Sequence, residues 1–375
     1  MERTNKAAGP DKLLFTPGPL TTSAAVKQAM LHDYGSRDGE FIECVGQVRE
    51  GLLKAAGVEA GHYEAIPMQG SGTFAIEAVL TSTLPPGGRV LILVNGAYGR
   101  RMVRICQVHG IDHIAIEFPE DQPVDAGQVA TALSADEDVV QVAVVHCETT
   151  TGLINPITGI GEVVYRAGRE YFVDAMSSFG AVPIDFEAAH IDYLVSSSNK
   201  CIEGVPGFGF AIVRRGALEA TEGYARTLSL DLLDQWRGLE KNGQFRFTPP
   251  THVILAFRQA LAELEQEGGI PGRAARYRAN HETLLDGMRA MGFREYLDPA
   301  LQGHIITSFR YPEDENFDFD TFYAKLNSRG MVIYPGKVSD ADCFRIGNIG
   351  RLGMEDVRAL LDAISEVREE MGFIP

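Results

Sequence analysis

Asp192-Tyr193-Leu194-Val195-Ser196-Ser197-Ser198-Asn199-Lys200 is the stretch on which the reading of the chain turns. An apolar run of strand length passes into serines, and a lysine follows directly, ahead of Gly204-Val205-Pro206-Gly207. A short, near-continuous apolar run fits a strand covered on both faces, as in the parallel sheets of α/β folds. Similar runs lie upstream at 65–68, 90–94, 114–116, 140–145 and 171–173, and downstream at 208–213, with helical stretches between most of them. That alternation predicts an α/β fold built on a mostly parallel, seven-stranded sheet between helices.

Outside the sheet, Leu13-Leu14-Phe15-Thr16-Pro17-Gly18-Pro19 reads as an extended arm, because two prolines and a glycine block a helix. A helical pattern at 24–31, a polar loop at 32–40 and an amphipathic stretch at 41–55 follow. From Thr251 to about Ala290 apolar residues recur at helical spacing (Val253, Leu255, Ala256, Ala260, Leu261, Leu264), which predicts one long helix leading into a C-terminal unit. That unit has strands near 305–309, 331–334 and 344–346 and helices near 319–328 and 354–368, a small α+β domain. The expected organisation is an arm (1–20), a large domain (21–265) and a small domain (266–375).

Composition limits the function classes. The chain has 375 residues and a formal net charge of −17. Such a polyanion repels nucleic acid and anionic membrane, so neither is expected as a partner. No apolar run reaches the ~18 residues of a membrane span, and the polar start has no signal-peptide core; a soluble, cytoplasmic protein is expected. The five cysteines are scattered and form no CxxC, as in a reduced compartment without a disulfide or zinc framework. His109 and His113 are four apart, but Gly110 would break the helix that a metal-binding pair needs, so they are expected to be loop histidines and no metal is expected.

Five segments carry chemistry. Gln69-Gly70-Ser71-Gly72-Thr73 lies between a strand and a helix expected over 74–84; backbone N–H groups at a helix start, with the Ser71 and Thr73 hydroxyls, form an anion cradle. The same residues satisfy G-x-G-x-x-A as Gly70, Gly72 and Ala75, the mark of a dinucleotide site. No Asp or Glu occurs between Glu77 and Asp112 to hold a ribose, so a single phosphate ranks well above a dinucleotide. Asp174 ends the apolar run Tyr171-Phe172-Val173, at the strand end where open sheets bind ligands. It is either a helix N-cap or a partner for a protonated pyridine nitrogen, as pyridoxal phosphate enzymes require. Lys200, past the next strand, is either a solvated loop lysine or a desolvated amine nucleophile. Asp174 and Lys200 at the ends of successive strands would share one edge of the sheet, which favours the second choice for both. Tyr98, in Asn95-Gly96-Ala97-Tyr98-Gly99, is an ordinary loop tyrosine or a stacking platform. Arg345, inside the apolar strand Cys343-Phe344-Arg345-Ile346-Gly347, needs an anion, either a structural carboxylate or a substrate.

In that order these segments resemble the class V aminotransferases of pyridoxal-phosphate (PLP) fold type I. Three longer stretches carry the resemblance further: Leu14-Phe15-Thr16-Pro17-Gly18-Pro19-Leu20-Thr21-Thr22, His146-Cys147-Glu148-Thr149-Thr150-Thr151-Gly152 and Tyr334-Pro335-Gly336-Lys337-Val338. So do Val173-Asp174-Ala175-Met176-Ser177-Ser178-Phe179-Gly180 and Asn199-Lys200-Cys201-Ile202-Glu203-Gly204-Val205-Pro206-Gly207-Phe208, and the match covers nearly the whole chain. The resemblance implies pyridoxal 5'-phosphate as cofactor, joined to Lys200, which also acts as general acid and base. By it Asp174 pairs with the ring nitrogen. Ser71, Gly72 and Thr73 hold the phosphate with Asn199 nearby. Tyr98 stacks on one ring face, Met176 packs on the other, and Thr149 lies by the ring hydroxyl. Arg345 binds the anionic end of the substrate, with Gly18 lining the site, and Thr248 reaches the cofactor phosphate of a neighbouring subunit in a homodimer. Within the family the pattern is nearest to members that take 2-aminoethylphosphonate as donor and pyruvate as acceptor, in phosphonate breakdown. One loop departs: Gly35-Ser36-Arg37-Asp38 stands where a tryptophan is expected, and Arg37 would add a second substrate cation. Alanine–glyoxylate or serine–pyruvate transamination is the alternative on the same scaffold. A cysteine desulfurase is disfavoured because Cys343 falls in a strand rather than on a mobile loop. A non-catalytic PLP-binding protein would not need Lys200, Asp174 and Arg345 together.

Overall fold

The computed structural model describes residues 11–336, 338 and 341–375; residues 1–10 of the arm, and Lys337 in the quoted Tyr334–Val338 segment, lie outside the described residues. Seven strands form one sheet: β1 (Tyr63–Gln69), β2 (Arg89–Val94), β3 (His113–Glu117), β4 (Val139–Val145), β5 (Glu170–Asp174), β6 (Tyr193–Ser197) and β7 (Phe208–Arg214). Their spatial order is β1-β7-β6-β5-β4-β2-β3, parallel throughout except that β7 runs antiparallel to both of its neighbours. Every strand predicted from the apolar runs is present, and most are extended at one or both ends by polar residues. Strand β3 lies at the edge and has no fully buried residue, which explains its weak apolar signal.

Helices α1 (Gly39–Ala56), α2 (Gly72–Ser82), α3 (Ala97–His109) and α4 (Thr251–Gln266) pack around the sheet. A continuous hydrophobic core runs through this unit from Val26 to Leu264. The long helix expected over 251–290 is two helices, α4 and α5 (Gly269–Ala290). Gly268 and Gly269 take φ of +95° and +71°, backbone angles that end a helix and that glycine adopts without strain. Helix α2 likewise starts at Gly72 and stops at Ser82, two residues ahead of the expected range at each end.

The C-terminal unit has its own core, which gathers Phe293, Phe309, Phe322, Phe344 and Phe373 under α6 (Phe319–Ser328) and α7 (Met354–Met371). Here β8 (Ile306–Arg310) pairs antiparallel with β9 (Cys343–Gly347). The strand expected at 331–334 is divided. Met331–Val332 pairs with Leu13–Leu14 of the arm, and Tyr334–Pro335 pairs with β9. His109 closes α3 and His113 opens β3, so neither is a loop histidine; Gly110 ends the helix between them, and His109 Nε2 lies 2.5 Å from the Glu77 carboxylate.

Candidate active site

Parallel pairing of β5 with β6 sets Asp174 opposite Val195, and Lys200 follows the end of β6 at Ser197. Both groups therefore emerge at the carboxyl-terminal edge of the sheet. The Asp174 carboxylate is buried. Its Oδ1 accepts the Met176 backbone N–H at 2.9 Å, while Oδ2 is buried with no hydrogen-bond partner. Burial pushes its pKa up to about 6, against the pull of the Met176 N–H, Arg101 and Lys200. A carboxylate oxygen left bare in this way is costly until a donor reaches it. The Lys200 amine donates to the Pro17 carbonyl at 2.5 Å. Burial pulls its pKa below the ordinary lysine value, which raises the share of neutral, nucleophilic amine.

The arm closes over Lys200. Gly18 has φ +108°, and a Cβ there would lie 2.7 Å from Lys200 Cδ and 3.0 Å from the Asn199 carbonyl, so any side chain would be strained and would press on Lys200. The same arm is tied to the C-terminal unit, since the Gly347 N–H at the end of β9 donates to the Phe15 carbonyl at 3.0 Å. The small unit is thus fastened directly to the lysine's cover.

At the cradle, Ser71 is the N-cap of α2, and its side chain makes no capping bond. Gly72 is buried against Met176, whose Sδ would stand 2.1 Å from any Cβ at that position. The Thr73 hydroxyl accepts from Arg101 Nη1 at 3.2 Å, and the Arg101 guanidinium lies 4.8 Å over the Tyr98 ring. Asn199 Oδ1 accepts the Ser197 hydroxyl at 3.0 Å. The start of α2 therefore offers backbone N–H groups with a cation beside them, an arrangement suited to a phosphate.

Arg345 comes from β9 and is buried, at 2% exposure. Its Nε donates to the Pro335 carbonyl at 2.9 Å and its Nη1 to the Thr149 carbonyl at 2.8 Å, and the Tyr98 side chain is near enough to favour its charge. No ion pair to it is present among the described residues. The structural salt bridge weighed for Arg345 is therefore absent there, and the guanidinium keeps its charge beside Tyr98 without a carboxylate.

Lys200, Asp174, Gly18, Gly72, Thr73, Tyr98, Thr149, Met176, Asn199 and Arg345 thus belong to one connected region. Two expected residues stand apart. Arg37 and Thr248 line a different concavity of about 330 Å³, with Ser36, Arg246 and Phe247. Both are exposed, and no hydrogen bond or ion pair joins Arg37 to Lys200, Asp174 or Arg345 among the described residues. The structure sets Arg37 beside Thr248 rather than beside Arg345. Gln69 links this concavity to the cradle: its Nε2 donates to the Phe247 carbonyl at 2.9 Å and the Thr248 carbonyl at 3.4 Å.

Two functional candidates were missed in the sequence. Arg101 is one; its i,i+3 spacing from Tyr98 at the start of α3 was the available signal. Glu148 is the other. It is fully buried, accepts the Thr150 hydroxyl at 2.6 Å and the Tyr98 N–H at 3.3 Å, and burial pushes its pKa up to about 7.

Residues 21–341 match the family described as Aminotransferase class-V. A 2-aminoethylphosphonate–pyruvate transaminase of Salmonella typhimurium is 52% identical over 354 residues, covering 94% of this chain and 96% of that protein. The 2-aminoethylphosphonate–pyruvate transaminase 1 of Cupriavidus pinatubonensis is 47% identical over 365 residues, covering 97% and 96%. Among solved structures, an alanine–glyoxylate aminotransferase from Nostoc sp. superposes with a TM-score of 0.88 at 28% identity, covering 98% of this chain and 97% of that one. With the site's geometry and these matches together, the chain is a member of the class V aminotransferase family.

Proposed function

We propose that this protein is a PLP-dependent aminotransferase that moves the amino group of 2-aminoethylphosphonate to pyruvate, releasing phosphonoacetaldehyde and L-alanine. The observation that carries the reading is the pairing of a buried, depressed lysine amine with a buried carboxylate whose Oδ2 lacks a donor. Family membership and the named relatives support the substrate choice.

The residues fit pyridoxal 5'-phosphate. Asp174 Oδ2 would receive the ring N–H that the carboxylate lacks. Backbone N–H groups at Ser71, Gly72 and Thr73, with Asn199 nearby, would hold the phosphate. Tyr98 and Met176 would cover the two ring faces, and Thr149 would lie at the ring hydroxyl. When bound, the cofactor supplies an aldehyde for the incoming amine and a ring that draws electrons from the bond being broken.

Everything else falls to the chain. Arg345 binds the anionic end of each substrate in turn, the phosphonate and then the pyruvate carboxylate, by charge-assisted hydrogen bonds. That fixes the amine-bearing carbon of the donor near Lys200. Lys200 Nζ takes the proton from that carbon and later returns one to the carbon that becomes Cα of alanine. The arm at Pro17 and Gly18 covers the lysine and limits water. The three parts assigned as 1–20, 21–265 and 266–375 each contribute: the arm its cover, the large domain Lys200 and Asp174, the small domain Arg345.

In this reading the protein is a cytoplasmic homodimer working in phosphonate breakdown, with Thr248 serving the neighbouring subunit's cofactor phosphate. No helix among the described residues is long and apolar enough to cross a membrane. The test is steady-state transamination with 2-aminoethylphosphonate, alanine or serine as amino donor and pyruvate or glyoxylate as acceptor, read as the carbonyl product released from each donor. The reading expects parallel double-reciprocal lines and 2-aminoethylphosphonate as the preferred donor. Preference for serine, or for alanine with glyoxylate, would move the assignment to the alternative on the same scaffold.

A further inference from the structure

Tyr98 is held from three sides in a way that cofactor stacking does not require. The Arg101 guanidinium takes one face of its ring at 4.8 Å. Its backbone N–H is bound by the Glu148 carboxylate at 3.3 Å, and the neighbouring Ala97 N–H donates to the Thr150 hydroxyl at 3.2 Å. Glu148 in turn accepts that same Thr150 hydroxyl. The approach is so close that a Cβ at Gly96 would stand 2.3 Å from Glu148 Cδ. This clamp joins the loop before α3 to the Cys147–Glu148 strand, and the residue after that strand, Thr149, gives its carbonyl to Arg345. The Tyr98 side chain meets the same guanidinium.

We propose that the Tyr98 hydroxyl is a second ligand, beside Arg345, for the anionic group of the substrate, and that it favours phosphonate over carboxylate. The proposal rests on the reading that Arg345 binds that group. A carboxylate is planar, and its two oxygens are served by one guanidinium fork. A phosphonate presents a third oxygen outside that plane and carries more charge. Arg345 already spends Nε and one Nη1 hydrogen on the Pro335 and Thr149 carbonyls. The Tyr98 hydroxyl, near enough to act on the charges of both Arg345 and Lys200, would supply the further donor. Glu148 and Arg101 are then positioning residues that hold Tyr98 in place.

The test uses the cofactor-loaded protein and two probes without an amine, methylphosphonate and propionate. Their dissociation constants are measured by calorimetry on the wild type and on Tyr98→Phe, which keeps the ring and removes the hydroxyl. The expected result is about tenfold weaker methylphosphonate binding, a typical loss for one hydrogen bond to a charged group. Propionate should weaken no more than about twofold by the same reasoning, and the visible absorbance and cofactor retention should not change. Equal affinities in the two proteins would overturn the proposal. So would loss of cofactor with anion affinity intact, which would give Tyr98 a stacking role alone. A wild type that binds propionate but not methylphosphonate would bring down the phosphonate donor itself and, with it, the proposed selectivity.

Discussion

The two edges of the central sheet hold buried charge in opposite ways. At the amino-terminal edge, just before β6, the Asp192 carboxylate is buried but matched on both oxygens. Its Oδ2 accepts the Tyr171 N–H at 2.8 Å, and its Oδ1 accepts Arg214 Nε at 2.6 Å in an ion pair. At the carboxyl-terminal edge of β5, Asp174 has one oxygen bonded and the other bare. The buried arginines divide in the same manner. Arg273 is fully buried and ion-paired to Glu267 at 2.7 Å and Glu203 at 3.5 Å. Arg345 is almost as buried and has two carbonyls and a tyrosine for company. Charge matched inside the fold holds the architecture together, whereas buried charge left short of a counter-ion waits for a ligand.

Substitutions on both sides of this comparison can break it. The largest effect is expected for Lys200→Ala, which removes the amine and should lower kcat by ~10⁴-fold or more without lowering the thermal midpoint. Next comes Arg345→Met against Arg273→Met. The first should raise KM for both substrates by ~10²-fold, the value of a lost charge-assisted pair, in a protein that still folds. The second should cost about 1–2 kcal/mol of stability, less than a fully broken buried pair because Arg276 still pairs with both Glu203 and Glu267, with KM little changed. Reversed outcomes would mean that burial, and not pairing, separates the two.

Asp174→Asn and Asp192→Asn sharpen the contrast for carboxylates. The Asp174 variant should lose about 10²-fold in kcat. The Asp192 variant should keep its activity and lose about 1–2 kcal/mol in urea unfolding, a value reduced because Arg214 is partly exposed. Their pH behaviour differs too. Without cofactor, folded Asp174 holds its proton up to about pH 6, against an ordinary value of 3.8, so the native state binds the extra proton between these limits. Its contribution to stability is present at low pH and lost as pH rises through that window. Asp174→Asn removes the loss, so the variant's urea midpoint should gain on the wild type from about pH 4 to pH 6. The smallest effect is expected for Gly18→Ala, at about 1 kcal/mol from the positive φ, with a measurable fall in kcat because the new methyl presses on Lys200.

The sheet was legible in the sequence because strands buried on both faces read as unbroken apolar runs. Their ends were not, since Glu170, Asp174 and Arg214 are charged residues that pair or act at strand termini. The 251–290 region read as one helix because apolar spacing survives the break; only the paired Gly268 and Gly269 marked it. Asp174 and Lys200 could be placed together from strand order alone. Arg101 and Glu148 could not, because an arginine on a helix and a glutamate in a polar stretch look solvated until the fold sets the first against Tyr98 and buries the second. Arg37 shows the converse: its loop lies close to the site along the resemblance, but beside Thr248 in space.

The most direct test of the account is the absorbance spectrum of the purified protein with pyridoxal 5'-phosphate, before and after 2-aminoethylphosphonate is added without pyruvate. The account predicts a yellow band that depends on Lys200, bleaches with 2-aminoethylphosphonate and returns with pyruvate. A protein that shows no such band even after added cofactor, or a band that 2-aminoethylphosphonate leaves untouched, would contradict it.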